Sequence, residues 1–324
     1  LLGFFDRSAE EKLVKVLREA TEPELDVLTS PLRSLSSTDW RRVLRRLTAL
    51  RLIDVPASPS PPIDSHPLLR EYFAEQLRMH FSEAWCAGHQ QLFEHLCETT
   101  EHQPATLLGL QPLYQAIAHG CLAGLHQQAF DNVYDDRVLR STRANGFYSI
   151  KELGAIGADL GAVACFFAMP WTTPAPNISP LVQSWMLNHA AYLLRAQGRL
   201  IEAVEPMRLA SGMPAEQSDW TSAAIHASNL SELELTRGKV LAAVAAGEQA
   251  IGFADRSDNS FKQMNTRGIL ANALHQAGRH AESRHLFEEA ESRQVAMDPE
   301  QPRLNSLGSF LYCDLLLSNA ERRA

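Results

Sequence analysis

Apolar residues recur at three- and four-residue spacing along almost the whole chain, and strand-like alternation is scarce, so the periodicity predicts a predominantly helical protein. The clearest early case is SSTDWRRVLRRLTALRLI. There Ser36 is placed to cap a helix with Asp39 three residues on, and Trp40, Val43, Leu44, Leu47 and Leu50 share one face. Arg41, Arg42, Arg45 and Arg46 lie on the opposite face, which makes a basic-backed amphipathic helix. In LIDVPASPSPPIDSH two short apolar pieces flank a proline-rich loop that cannot be helical, the pattern of a small β-hairpin. Helix resumes at Pro67, and residues 81–100 continue it with Trp85, Leu92, Phe93 and Leu96 as the expected buried stripe.

The second half follows a repeat. Gly198, Gly238 and Gly278 stand forty residues apart, in RAQGRLIEAV, LTRGKVLAAV and HQAGRHAESR. Small residues recur five positions later (Ala203, Ala243, Ser283) and twelve later (Ala210, Ala250, Ala290), and Leu194 and Leu274 precede the turn where Glu234 is the exception. A glycine that ends a helix in the left-handed conformation permits a tight reversal, and alanine at a fixed place lets the next helix approach closely. The unit is therefore a pair of antiparallel helices, and units stack into a solenoid. A weaker unit fits at Gly124 with Ala129, and Leu304–Ser318 supplies a further first helix without a second, which suggests truncation.

These units resemble tetratricopeptide repeats, which carry glycine at the turn, alanine five residues on, a large residue nine on and alanine twelve on. The large position holds Met207, Gly247 and Phe287, so the middle unit departs from the pattern, and the forty-residue period implies longer helices than usual. In such repeats the first helices line the concave surface. By that geometry the exposed inner positions are Asn188, Tyr192 and Arg195, then Ser228, Asn229 and Glu232, then Asn272 and His275, a set suited to a protein or peptide ligand. The same residues equally fit the polar sides of ordinary amphipathic helices.

Helix, helix, wing, helix over about residues 1–80 is the winged-helix order, so this stretch is expected to form a winged-helix domain. The run IDSHPLLREYF resembles the Met-His-Asp motif that closes the winged-helix domain of STAND-type (NB-ARC-like) signalling ATPases, with Ser65 in place of the methionine and Pro67 in place of the acid. LLGFFDRSAEE looks like the start of that domain and DVLTSPLRSLSSTDWRRVLRRLTALRLI like its middle. The resemblance implies that His66 reaches the ADP phosphate when the ATPase core is present, and that a repeat sensor follows. It also implies nucleotide-controlled oligomerisation and a setting such as bacterial defence. The residues alone support only a histidine at a helix start, where anions are favoured, or a plain helix cap.

The expected architecture is thus all-α: a winged-helix domain at 1–80 with a small β-wing, a helical connector with a degenerate repeat at 81–178, and a tetratricopeptide-like α-solenoid at 179–324. No GxxxxGK[ST] phosphate loop occurs, so the chain is expected to be non-enzymatic and to hold no cofactor, ADP or ATP belonging to a parent chain whose ATPase core is a partner. The start at Leu1 rather than Met suggests a piece of a longer polypeptide.

Composition narrows the partners. A net charge of −8 and a pI near 5.9 disfavour a chain devoted to nucleic acid or anionic membrane. The arginine quartet keeps one rival open, a DNA-binding winged-helix regulator with a repeat-based inducer domain. Cys86, Cys97, Cys121, Cys165 and Cys313 form no CxxC pair, which fits a reducing cytoplasm without disulfides or zinc. His275, His280 and His285 walk around a helix and read as solvated, and His95/Cys97 and His119/Cys121, two apart, point to different sides. The apolar run Gly154–Trp171 approaches membrane-spanning length, but the central Asp159 favours a buried helix.

Overall fold

The computed structural model describes residues 35–54, 64–141, 146–216 and 218–321, which form two compact units divided between Ala155 and Ile156. The chain is predominantly helical in both. The expected opening of a winged helix at residues 1–34 lies outside the described residues.

In the first unit, helix α1 (Ser37–Ala49) begins where Ser36 Oγ accepts from the Asp39 amide at 3.2 Å, the cap that the sequence implied. Trp40, Val43, Leu44 and Leu47 are half-buried, whereas Leu50 is the C-cap and exposed. A short antiparallel hairpin follows, β1 (Ile53–Asp54) on β2 (Asp64–Ser65), with Ile53 opposite Ser65. Helix α2 (Pro67–His80) buries none of its residues and gives way at Phe81 to α3 (Ser82–Thr99). Leu92, Phe93 and Leu96 of α3 pack against α4 (Leu107–Leu122), while Trp85 stays half-buried with its edge on His89.

After α4 the chain reverses at Gly124 into α5 (His126–Ala129), which continues as a π-helical stretch over Phe130–Leu139 and, later, a turn of helix α6 (Tyr148–Lys151). Arg137, buried in that stretch, donates to the carbonyls of Cys97 (3.1 Å), Thr100 (2.9 Å), Glu101 (3.0 Å) and His102 (2.9 Å). One guanidinium thus satisfies the carbonyls that the end of α3 and its following turn would otherwise leave unmet.

The second unit corrects one expectation. The run from Gly154 is not one helix: α7 (Ile156–Ala164) ends after nine residues and β3 (Phe167–Met169) pairs with β4 (Thr173–Pro174). Pro170 cannot donate to a helix ladder, and Trp171 takes a left-handed φ of 65° at the reversal. Asp159 is buried in α7, and among the described residues no helix is long and apolar enough to cross a membrane.

Three hairpins then follow: α8 (Pro180–Ala196) with α9 (Leu200–Glu216), α10 (Trp220–Thr236) with α11 (Val240–Arg256), and α12 (Ser260–Gln276) with α13 (His280–Met297). A last helix, α14 (Ser306–Glu321), packs against α12 and α13. Each hairpin turns by the same device. Gly198 donates to Arg195 O at 3.0 Å and Arg199 to Leu194 O at 2.9 Å; Gly238 and Lys239 repeat the pair at 2.9 and 2.8 Å, and Gly278 and Arg279 at 2.9 and 2.9 Å. This is a Schellman cap, which needs a left-handed residue at its centre, and the three glycines have φ of 76°, 73° and 76°. Gly124 and Leu125 close the first-unit turn in the same way, at 3.0 and 2.8 Å.

The alanine rule also has its physical cause. Ala203, Ala243, Ser283, Ala210, Ala250 and Ala290 are all fully buried. In the second hairpin Ser231 Oγ donates to Ala243 O at 2.7 Å, and in the third Ser283 Oγ donates to Ala271 O at 2.7 Å. The two helices cross so closely that a hydroxyl on either one reaches the other's backbone, and the first hairpin has alanine on both sides (Ala191, Ala203). Gly247 replaces a large residue because Leu270 of the next hairpin fills its place: a Cβ there would stand 3.0–3.3 Å from Leu270 atoms.

Candidate partner-binding face

Successive first helices α8 and α10 bring predicted residues together. Asn229 Nδ2 donates to Asn188 Oδ1 at 3.1 Å, and Arg195 pairs with Glu232 at 3.1 Å, each of the latter two about a third exposed (33%). Tyr192, 47% exposed, lies on the same stretch of α8. These five residues lie on the first helices of two consecutive hairpins, and the amide and ion-pair links join one helix to the next.

Two residues of the expected face are corrected. Ser228 is 4% exposed and His275 8% exposed, so neither lines an open surface. Ser228 turns into the packing between helices. His275, also expected to be solvated, faces α14, its Nε2 3.1 Å from Ser318 Oγ and its Nδ1 3.5 Å from Asp314 Oδ2. Asn272 is half-buried on α12.

Sequence reasoning missed an aromatic row on α8. Trp185, His189 and Tyr192 follow one another at four- and three-residue steps, with ring centroids 4.5 Å apart for the first pair and 6.2 Å for the second, both stacked. Burial pushes His189 down to about 3, so at neutral pH it is an uncharged ring that supports the half-buried Trp185 and the exposed Tyr192. The four-then-three spacing was visible in the sequence and marks one helix face.

Outside this face, His66 is the N-cap of α2: its Nδ1 accepts from the Leu68 amide at 3.3 Å, and Pro67 occupies the first helical position. Arg41, Arg42, Arg45 and Arg46 are all exposed on α1, with Arg42 3.3 Å from Asp39. His119 meets His89, Nδ1 to Nδ1 at 2.8 Å, and burial lowers both, to about 4 and about 3. No group of three or more His, Cys, Asp or Glu among the described residues gathers as a metal site.

The fold class that this geometry defines is a helical-hairpin repeat of the tetratricopeptide kind. Two solved structures are similar to the chain: the TPR-like repeats of a putative kinesin light chain from Podosopora anserina, with a TM-score of 0.38, 16% identity and cover of 72% of this chain and 98% of that one, and a single-residue variant of the same repeats, with 0.39, 16%, 72% and 96%. No protein-family model matches the chain, and no curated protein matches it. The hairpin assignment rests on the glycine turns and the packing described above.

Proposed function

We propose that the repeat unit binds an extended peptide or protein segment along the face made by Asn188, Tyr192, Arg195, Asn229 and Glu232. The observation that carries this reading is the pairing of two polar contacts across consecutive first helices, beside an exposed tyrosine that is backed by stacked rings. Amide and ion-pair groups at fixed spacing suit a partner's backbone and charged side chains, and Tyr192 supplies a rigid apolar contact.

In the same proposal, residues 1–80 form a winged-helix domain, 81–178 a connector and 179–324 the sensor of a STAND-type signalling ATPase. Ligand capture on the solenoid then favours the open state of the ATPase core, which oligomerises in the cytoplasm. Such a switch requires a ligand that binds the two states unequally. His66 holds the closed state through the ADP phosphate when the core is present. Its exposed position at a helix start supports that role, although its ring nitrogen already serves the cap.

Panning a random peptide library on the whole chain, then measuring recovered peptides by fluorescence anisotropy, tests the binding face. Tyr192→Ala and Asn229→Ala are expected to weaken binding about tenfold each, the scale of a modest hot spot. Equal binding by both variants refutes the face. For the switch, His66→Ala in the full polypeptide with its ATPase core should release ADP and raise basal output; retained ADP counts against the latch. The exposed arginines of α1 keep the DNA-binding reading testable: a gel-shift affinity that falls steeply with salt supports it, and a weak, flat response removes it.

A further inference from the structure

The second helices of the repeat enclose a feature that the first-helix face does not use. Between α11 and α13, over α12, lies an open surface cleft of about 460 Å³. Its floor is Leu270, Leu274 and Leu286, the apolar cluster joining the second and third hairpins. Gly247, where the other hairpins carry Met207 or Phe287, helps shape that floor: with no side chain on α11, Leu270 packs onto the bare backbone.

Charge at the mouth is unequal. Arg279 is engaged by Glu282 through two bonds, at 2.8 and 2.5 Å, which holds the Glu282 carboxyl below its usual range. Glu248 faces the same guanidinium from α11. One cation therefore serves two carboxylates, and the rim keeps a net negative charge above an apolar floor. His285 is turned toward Glu289, its Nε2 3.0 Å from the Glu289 carboxylate.

We propose that this cleft binds a small amphiphilic cation, an apolar body on the leucine floor carrying an ammonium group toward Glu248. An anionic amphiphile meets Glu248 and Glu282, and a neutral one forgoes the carboxylates. The site is independent of the peptide-binding face, which belongs to the first helices.

The test uses the whole chain with labelled leucine methyl groups, titrated by NMR with hexylammonium, 1-hexanol and hexanoate as probes of equal length. Hexylammonium is expected to shift the Leu270, Leu274 and Leu286 methyls saturably. It should bind about threefold tighter than hexanol and about tenfold tighter than hexanoate, as one exposed charge contact allows. Glu248→Gln, a surface change on the rim, should erase the advantage over hexanol, and Ala281→Phe, which fills the mouth, should abolish the shifts. Shifts spread over leucines elsewhere, no saturable shift, or equal binding of hexanoate would each overturn the proposal.

Discussion

Arg267→Met is the most informative single change in the repeat unit. The buried guanidinium of Arg267 donates to Asp255 through two bonds, at 2.9 and 3.0 Å, to Glu289 at 2.9 Å and to Gln263 O at 2.9 Å, so one side chain ties α11, α12 and α13 together. The carboxylates are 42% and 39% exposed and rehydrate once the cation is gone, so each ion pair counts at the surface scale, about 0.5–1 kcal/mol. The lost carbonyl bond adds about 1 kcal/mol, and two facing carboxylates are left without their shared cation. Methionine recovers much of the apolar stem contact, so the expected net loss is about 2–3 kcal/mol. That corresponds to a fall of roughly 5–10 °C in Tm for a unit of this size.

Urea denaturation followed by circular dichroism measures the loss directly. Asp255→Asn and Glu289→Gln should each cost about 1 kcal/mol, and a double-mutant cycle with Arg267→Met should show coupling of comparable size. A variant as stable as the parent would refute the bridging role, because apolar replacement is neutral only where the carboxylates do not depend on the arginine.

Three further outcomes follow from the same structure. Arg137→Lys should destabilise the first unit by about 2–4 kcal/mol in urea, since an ammonium cannot reproduce a fork that meets four carbonyls. Gly247→Met should cost about 1–3 kcal/mol by driving Leu270 from its place, although methionine suits the equivalent position 207. His89, His119 and His189 are held uncharged by burial, at about 3, 4 and 3, against 6.5 when unfolded. Their unfolded forms therefore take up protons first, so stability is full above pH 6.5 and falls toward pH 4, by up to about 1.4 kcal/mol per pH unit for each group. His89→Phe should flatten that slope in a urea series; an unchanged slope contradicts the buried-pair account.

Much of this fold is legible in the amino-acid sequence. Gly198, Gly238 and Gly278 could be read because a Schellman turn demands one residue type at one place, and the alanines because a close helix crossing leaves no room for more. Ser36 and the Ile53–Ser65 hairpin followed from equally local rules. What escaped depends on neighbours distant in sequence. His89 and His119 meet only because α3 packs on α4, and His275 is buried only because α14 lies over it. The run after Gly154 misled because hydrophobicity alone does not separate a short buried helix and hairpin from one longer helix; Pro170 was the local sign. On the proposed binding face, helical periodicity could place Asn188 and Arg195 on one side of α8, but not which residues of α10 they would meet.

The hairpin repeat itself is tested most directly by the sign of glycine-to-alanine substitutions. Gly198→Ala, Gly238→Ala and Gly278→Ala should each destabilise by about 1 kcal/mol in urea denaturation, since alanine resists the left-handed turn. Gly252→Ala, in the interior of α11 with open space at its Cβ, should stabilise by about 0.5–1 kcal/mol. Opposite signs at the turn and helix positions are the predicted result; stabilisation at the three turn glycines would contradict the repeat.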